Sequence, residues 1–468
     1  MLASRVLSIL VVPIYARYLS TAEFGVLELL DLTLYFFTAL CALQLSNAVV
    51  YCVGDRPPES HNRIYSTVLI AGLSFGMGVF LMGSLSSPVL SRLVFNSTAY
   101  TAALIWYFAA FALNPVIEVG MIILRLKDRI GVMNTVAIAR SVLQAVLSII
   151  FLSAFRLGYM SFAWSSLAVS VLFGLGVLAV AYSQMPIVLD RAIMKTVVKY
   201  AAPLGLGSFA MLIVHYGDRF FLQRYASLSD VGIYALANKI GMLVYFFQGP
   251  FSAYWAVERF RVMNDPAGAA HYVRIFTYLT LAQGAALLAL AVAARPVVAL
   301  FLPPAYADVA TYVPWIALAF VLRSLGEHLR GVLLVRARTT YDTAICVAGS
   351  VLCLLLYLGL IPSFHVAGAT AATVIAFAAL VVISFVAAQR AHHFDYEYGR
   401  LARIAVAVCV PVCALFAVLP VPLWLQTLLG LACLLFYAVI LRFSGFFQPD
   451  ELDALRRNLS KAKSLISA

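Results

Sequence analysis

The sequence predicts an all-α protein that crosses a lipid bilayer many times, and three observations support this prediction. Hydrophobic residues make up 64% of the 468 residues and charged residues only 11%, whereas soluble domains carry about a quarter charged residues. Apolar stretches of about 20 residues, the length that a helix needs to cross the hydrocarbon core, recur along the whole chain. A segment of the first half is also repeated, with similar sequence, in the second half.

The apolar stretches predict fourteen membrane-spanning helices. They cover residues 2–19, 25–52, 64–86, 100–124, 130–153, 158–183, 198–222, 231–254, 272–302, 309–334, 342–362, 366–388, 402–420 and 423–441. The first stretch has no small-residue cleavage site and leads directly into the second, so we interpret it as helix 1 rather than a signal peptide. The seven cysteines lie in or beside apolar stretches without metal-ligand spacing, which favours a packing role.

Basic residues are concentrated in the loops that follow even-numbered helices, as with Arg125, Lys127 and Arg129, while the opposite loops contain few. Because Lys and Arg near helix ends remain in the cytoplasm, both termini are predicted to be cytoplasmic. This topology accounts for most of the net charge of +12, so no nucleic-acid partner is expected. The tail, residues 447–468, is interpreted either as an amphipathic helix on the anionic inner leaflet or as a solubilising segment.

The repeated segment reads "RYLSTAEFGV" at residues 17–26 and "RYASLSDVGI" at residues 224–233. In both copies a serine precedes an acid by three positions: Ser20 precedes Glu23, and Ser227 precedes Asp230. This spacing is typical of a capping box, in which each side chain satisfies a backbone N–H at the start of a helix. We therefore predict that each copy is an outer hairpin leading into the next membrane helix.

The repeat extends beyond the hairpins, because offsets of about 207 to 211 residues also align Glu118 with Glu327, and "RLKDR" from Arg125 with "RARTT" from Arg336. Six helices recur in the same orientation. Parallel repeats of this kind predict two bundles related by a pseudo-two-fold axis along the membrane normal, with a site near their interface and alternating access. The predicted domains are residues 1–190, residues 191–392, the added helix pair at 393–446, and the tail at 447–468.

These hairpins, the "RLKDR" segment and the 6 + 6 + 2 helix count resemble the polysaccharide-biosynthesis flippases of bacteria, within the multidrug/oligosaccharidyl-lipid/polysaccharide exporter superfamily. The resemblance spans nearly the whole chain. It implies translocation of an undecaprenyl-diphosphate-linked oligosaccharide (an O-antigen, capsule or exopolysaccharide repeat unit) across the cytoplasmic membrane, with membrane lipids, a polysaccharide polymerase and chain-length proteins as partners. Family members carry a longer stretch ahead of helix 1, so Met1 is expected to fall nearly inside that helix.

Charged residues inside predicted spans are costly and usually face a cavity or pair with each other. Guanidinium groups bind phosphate oxygens in a bidentate fork, so a cationic central cavity suits a diphosphate. The substrate-binding candidates are Arg5, Arg140, Arg219, Lys239, Arg323 and Arg330. Under the alternative interpretation these charges only hold the helices in register, and Arg219, near a helix end, extends its head group to the membrane surface.

Carboxylates in such a cavity are candidates for coupling to a proton or a sodium ion. They are Asp31, Glu118, Asp218 and Glu327. No other cofactor and no metal is expected, because the chain has neither a phosphate-binding loop motif nor metal-ligand spacing. Pro115 and Pro203 are expected to interrupt long spans.

Three other functions are alternatives to the flippase. An ion-coupled multidrug antiporter of the same superfamily favours an acidic or aromatic pocket, which the surplus of Arg and Lys argues against. A peptidoglycan-precursor flippase has the same predicted helix count, and only substrate tests distinguish it. A membrane glycosyltransferase needs a large outer loop that this sequence lacks, so the protein is not expected to be an enzyme.

Overall fold

The structure, a computed structural model, describes residues 11–40, 45–54, 56–246, 248–263, 265, 268–336, 339–417 and 422–447. Helices make up most of these ranges, and no strand occurs in them. The helices are α1 Val12–Tyr18, α2 Thr21–Leu40, α3 Leu45–Gly54, α4 His61–Phe95, α5 Thr101–Phe111, α6 Asn114–Leu126, α7 Ile130–Ser153, α8 Met160–Gln184, α9 Arg191–Tyr225, α10 Leu228–Gly241, α11 Leu243–Phe246, α12 Gln248–Met263, α13 Gly268–Phe301, α14 Val309–Val335, α15 Thr339–Ala391, α16 Tyr398–Ala417 and α17 Leu423–Phe443. The predicted tail helix lies outside the described residues.

Within the described ranges, nine helical stretches are long and apolar enough to cross a membrane. They contain ten of the fourteen predicted spans, because the stretch Thr340–Ala391 holds two. Its 52 residues would extend about 78 Å as one straight helix, far beyond a hydrocarbon core of about 30 Å. The backbone breaks at His365, with φ 49° and ψ −122°, between the two predicted spans. The remaining four spans overlap α1, α2 with α3, α9, and α10 to α12 within the described ranges. The prediction of an all-α polytopic fold is confirmed.

The two prolines that were expected to interrupt spans behave differently. The fourth predicted span breaks between α5 and α6, and Pro115 occupies the first turn of α6, where its missing N–H costs no helical hydrogen bond. In contrast, α9 runs as one helix from Arg191 to Tyr225 through Pro203. The expected interruption at Pro203 is therefore wrong.

The helices group into two compact units, described separately here. Unit 1 comprises Met1–Leu236 with Ser350–Ala372, and unit 2 comprises Ala237–Gly349 with Thr373–Ala468. In unit 1, α9 packs against α2, α3 and α4. In unit 2, α16 and α17 pack against α13, so the helix pair predicted as an addition shares an apolar core with α13 and α14. The predicted boundaries of the two six-helix bundles stay a prediction.

Both copies of the repeated segment form the predicted caps. The Glu23 N–H donates to Ser20 Oγ at 3.2 Å, and the Ser20 N–H donates to Glu23 Oε2 at 2.9 Å. In the second copy the Asp230 N–H donates to Ser227 Oγ at 3.1 Å, and this hydroxyl donates to Asp230 Oδ2 at 2.7 Å. The capping prediction is confirmed for Ser20, Glu23 and Ser227, each of which accepts from a backbone N–H at a helix start, whereas Asp230 accepts from the Ser227 hydroxyl.

The two copies also contact each other within unit 1, at a crossing of α2 with α10. A Cβ on Gly25 would overlap the carbonyl oxygen of Leu228, and a Cβ on Gly232 would overlap that of Thr21. Residues 21 and 25 match residues 228 and 232 in the repeat, so the two overlaps are the same contact seen from either copy, as at a two-fold axis. The hydroxyls of Thr21 and Ser229 lie 2.6 Å apart beside this crossing. Only glycine permits so close an approach of two helix backbones.

Candidate substrate-binding site

The fourth helix of each predicted repeat carries a glutamate with a polar residue four positions earlier. These pairs are Asn114 with Glu118 on α6, and Arg323 with Glu327 on α14. Residues at this spacing lie on the same face of a helix. The two repeats thus present the same arrangement with different chemistry, an amide in unit 1 and a guanidinium in unit 2.

In unit 1 the guanidinium near the glutamate comes from another helix. Arg140 on α7 donates through Nη2 to the side-chain oxygen of Asn114 and interacts electrostatically with Glu118. Glu118 is exposed and Arg140 is half-buried, although both belong to helices that are long and apolar enough to span a membrane. The pair is therefore accessible to a ligand at the surface of unit 1.

Helix α2 adds two exposed polar side chains to this region, Asp31 and Tyr35, one turn apart on one face. Tyr35 interacts electrostatically with Glu118, so α2 and α6 bring their polar groups close together. Three of the predicted site residues, Asp31, Glu118 and Arg140, thus contribute to one polar face of unit 1. We call this set, with Tyr35 and Asn114, the unit 1 face.

The Arg219 side chain has a different environment, because it is buried with only 2% of its surface exposed. Its Nη1 lies 2.7 Å from Asp218 Oδ1, and its Nε lies 3.8 Å from Glu28 Oε1. The hydroxyl of Tyr234 donates to Asp218 Oδ2 at 2.6 Å. Arg219 therefore does not extend to the membrane surface, and the geometry of Arg219 and Asp218 fits the interpretation of a structural pair.

In unit 2 the predicted residues of α14 form a connected group. Arg323 Nε donates to Glu327 Oε1 at 2.9 Å, and the hydroxyl of Tyr245 donates to Glu327 Oε2 at 2.7 Å. The Arg323 guanidinium also lies over the Tyr245 ring, 5.0 Å from its centroid. Both charged side chains are about a quarter exposed, so the ion pair is stabilised by neighbours and remains open to a ligand.

One helical turn further, Arg330 Nε lies 3.1 Å from Asp342 Oδ1 at the edge of a polar cavity of about 260 Å³. The cavity is also lined by Trp255 and Arg259 of α12 and by His328 of α14. These three residues were not predicted to belong to the site, because Arg259 follows the predicted span at residues 231–254 and was expected in a loop, whereas α12 continues to Met263. Their spacing in the sequence could have indicated them, since Trp255 and Arg259 are four residues apart and His328 directly follows Glu327.

The other candidates are placed as follows. Lys239 is half-buried on α10 and has an interaction partner. Arg5 lies outside the described residues. The prediction that the charged residues of both repeats face one central cavity stays a prediction.

The sequence model of the family described as "Polysaccharide biosynthesis protein" matches residues 1–253, more than half of the chain. The chain belongs to this family. A search of curated proteins finds no match for this chain.

Solved structures of the same fold are transporters and flippases. The structure titled "Lipid II flippase MurJ, inward closed conformation" matches with a TM-score of 0.75 at 13% identity, over 94% of this chain and 97% of MurJ. A multidrug resistance MATE family transporter of the MOP superfamily matches in its inward-facing conformation with a TM-score of 0.65, and in its outward-facing conformation with 0.59. Both MATE structures are 16% identical to this chain and cover 86% of it. The match covers 95% of the inward-facing MATE chain and 94% of the outward-facing one. These likenesses show that the chain has the same all-helical fold as these proteins. Its long apolar helices indicate a multi-pass membrane protein.

Proposed function

We propose that this protein is a flippase that moves an undecaprenyl-diphosphate-linked oligosaccharide from the inner to the outer leaflet of the bacterial cytoplasmic membrane. The observation that carries the proposal is the accessible guanidinium groups on membrane-spanning helices in a member of the polysaccharide biosynthesis family: Arg140 in unit 1, and Arg323 and Arg330 in unit 2. Charged groups are costly within a bilayer, so their presence on these helices favours a function in binding. Both termini face the cytoplasm in this proposal.

The chemistry of these residues suits a diphosphate headgroup. A guanidinium donates two parallel hydrogen bonds to phosphate oxygens, and the bond is strengthened by opposite charge. Each arginine already has a polar partner, Asn114, Glu327 or Asp342. In the resting protein these partners hold the guanidinium groups in place, and the substrate's oxygens replace or share them on binding.

Uphill movement needs an energy source, and an ion gradient is one source that a carboxylate can use. The exposed carboxylates Asp31 and Glu118 are the candidates that the geometry favours. Glu327 is a third, because it is partly exposed and linked to Arg323 and Tyr245. Protonation or sodium binding at a carboxylate changes the charge next to the arginine and so alters its affinity for phosphate. Asp218, buried with Arg219, is a weaker candidate.

The test is transfer of a fluorescent undecaprenyl-diphosphate sugar between the leaflets of liposomes that contain the purified protein. We expect the native protein to transfer the lipid, and Arg140→Ala and Arg323→Ala to abolish transfer while remaining folded by size-exclusion chromatography. Arg156→Ala is the control, because Arg156 is an exposed residue in a connecting loop. Leaflet transfer at the native rate by both Arg140→Ala and Arg323→Ala would refute the proposed mechanism.

A second candidate substrate is the peptidoglycan precursor lipid II, since the match to the structure titled as a lipid II flippase covers 94% of this chain. The same liposome assay with lipid II distinguishes the two substrates. A protein that transfers lipid II and excludes other undecaprenyl-diphosphate glycans has this second function. Export of a cationic drug without lipid transfer would instead identify the protein as a multidrug antiporter.

A further inference from the structure

Unit 2 contains two adjoining cavities of opposite character. The polar cavity of about 260 Å³ lies between α12 and α14. The apolar groove, of about 1050 Å³, lies along α13 beside α11 and α12. Gln248 and Phe251 line both, so the two spaces share one wall. A ligand with a polar head and a hydrocarbon chain matches this pairing.

The polar cavity contains buried hydrogen-bonding atoms that have no partner. Trp255 and His328 are each only 4% exposed, yet Trp255 Nε1 and both ring nitrogens of His328 make no hydrogen bond. Arg259 Nε is also buried and unpartnered. Leaving a buried polar group without a hydrogen bond is destabilising, so a structural role alone does not explain three such side chains around one cavity. Indole and guanidinium nitrogens only donate, and they therefore require an acceptor.

The charges of the polar cavity leave Arg259 available to an anion. Arg330 pairs with Asp342 at 3.1 Å, and Glu327 pairs with Arg323 at 2.9 Å. Among the residues that the structure describes, no carboxylate pairs with Arg259. Its guanidinium packs over Gly331, where a Cβ would lie 3.3 Å from Arg259 Nη1. The glycine thus makes room for the guanidinium at the cavity wall.

The apolar groove has the shape of a channel for a hydrocarbon chain. Small side chains line one face of α13 at helical spacing: Ala282, Ala286, Ala289 and Ala293. His271 and Arg274 are exposed at the end of the groove that lies near the start of α13. The 19-residue rise from Arg274 to Ala293 is about 28 Å, close to the thickness of the hydrocarbon core.

We propose that these two cavities form one binding site for a prenyl diphosphate, with the diphosphate in the polar cavity and the prenyl chain in the groove. This rests on the proposed function, because it locates that substrate's lipid anchor in unit 2. A diphosphate offers more charge and more acceptor oxygens than the phosphodiester of a phospholipid. It matches the guanidinium groups of Arg259 and Arg330 and the ring N–H groups of Trp255 and His328.

The experiment measures binding of radiolabelled undecaprenyl diphosphate to the purified full-length protein in nanodiscs. Arg259→Gln removes the charge from the polar cavity, and Ala289→Trp fills the groove at an exposed position. Each is expected to weaken binding about tenfold or more, the effect of losing a charged hydrogen bond or the chain's apolar contact. The matched controls, Arg261→Gln on α12 and Ala299→Trp on α13, lie outside both cavities, are exposed, and are expected to bind as the native protein does.

Competition separates the two parts of the site. Inorganic diphosphate should displace the labelled lipid from the native protein and should fail to bind Arg259→Gln. Undecaprenol has no phosphate, so its affinity should fall in Ala289→Trp and stay unchanged in Arg259→Gln. Native affinity in both Arg259→Gln and Ala289→Trp overturns the proposal, as does displacement by phosphatidylglycerol at the same concentration as by undecaprenyl diphosphate. If Arg259→Gln does not fold, Arg259→Lys, which keeps the charge but not the fork, and Ala289→Trp decide the question.

Failure of this site and failure of the proposed function give different results. Leaflet transfer that persists with native binding in both variants rejects the site and leaves the flippase function intact. Binding that depends on Arg259 and Ala289 without any leaflet transfer supports the site and rejects the flippase function.

Discussion

The crossing of α2 with α10 makes a quantitative prediction for Gly25→Ala. The new Cβ would overlap the carbonyl oxygen of Leu228, and ordinary contact begins at 3.4 Å, so the two helices must separate by more than about 1 Å. Overpacking of this kind costs about 1–3 kcal/mol. The same separation stretches the 2.6 Å contact between the Thr21 and Ser229 hydroxyls beyond hydrogen-bond range, a further loss of about 1 kcal/mol.

One effect opposes this loss, because alanine favours a helix over glycine by about 1 kcal/mol. We therefore expect Gly25→Ala to lower the free energy of unfolding by about 1–3 kcal/mol. The measurement is reversible denaturant unfolding of the purified protein in mixed micelles. Gly78→Ala and Gly176→Ala are the matched controls, since a Cβ at either position has no atom within 4 Å, and they should be neutral or slightly stabilising.

The repeat symmetry adds a second measurement. Gly232→Ala should have a similar effect alone, because it faces the equivalent carbonyl of Thr21. The double variant should lose less than the sum of the two, since one separation of the helices relieves both overlaps. A Gly25→Ala protein as stable as Gly176→Ala would show that the two backbones are not in contact at this crossing.

Three further predictions follow from contacts within unit 1. In a variant without native cysteines, Thr21→Cys with Ser229→Cys should form a disulfide, because the native hydroxyls are 2.6 Å apart. Oxidation should stop leaflet transfer, and reductant should restore it. Transfer that continues in the oxidised protein would exclude separation of the hairpins during transport. Tyr234→Phe should destabilise the protein by about 1–3 kcal/mol in denaturant unfolding, because it removes the hydroxyl that donates to the buried Asp218, and an unchanged unfolding curve would contradict that contact. Glu118→Gln should make transfer insensitive to proton and sodium gradients if this exposed carboxylate couples transport, and native gradient dependence would assign coupling elsewhere.

Much of the fold could be predicted from the sequence, because the relevant interactions are local. Helix α7 covers residues 130–153, the range that hydropathy predicts, since burial in lipid depends on the apolar content of about 20 consecutive residues. The caps at Ser20 and Ser227 were equally predictable, because a capping box joins residues three positions apart. The continuity of α9 through Pro203 was not, because neighbouring helices determine whether a proline breaks a membrane helix.

The candidate site was predictable in residue type but less so in contacts. Hydropathy identifies Arg140, Arg219 and Arg323 equally as charges inside spans. Only the structure distinguishes the buried Arg219 from the accessible Arg140 and Arg323. Helical spacing shows neighbours on the same helix, and so it could suggest the pairing of Arg323 with Glu327 but not the contact of Arg140 with Asn114.

The sequence by itself thus determined that this protein is a polytopic helical membrane protein with an internal repeat, since hydrophobic length and repetition are properties of the chain alone. Tertiary structure decided which charges are paired and which remain accessible, and it placed Trp255, Arg259 and His328 around one cavity. The physical reason is that a charge within a bilayer is satisfied by whichever helix packs against it, and that neighbour can lie far away along the sequence, as Glu28 does from Arg219.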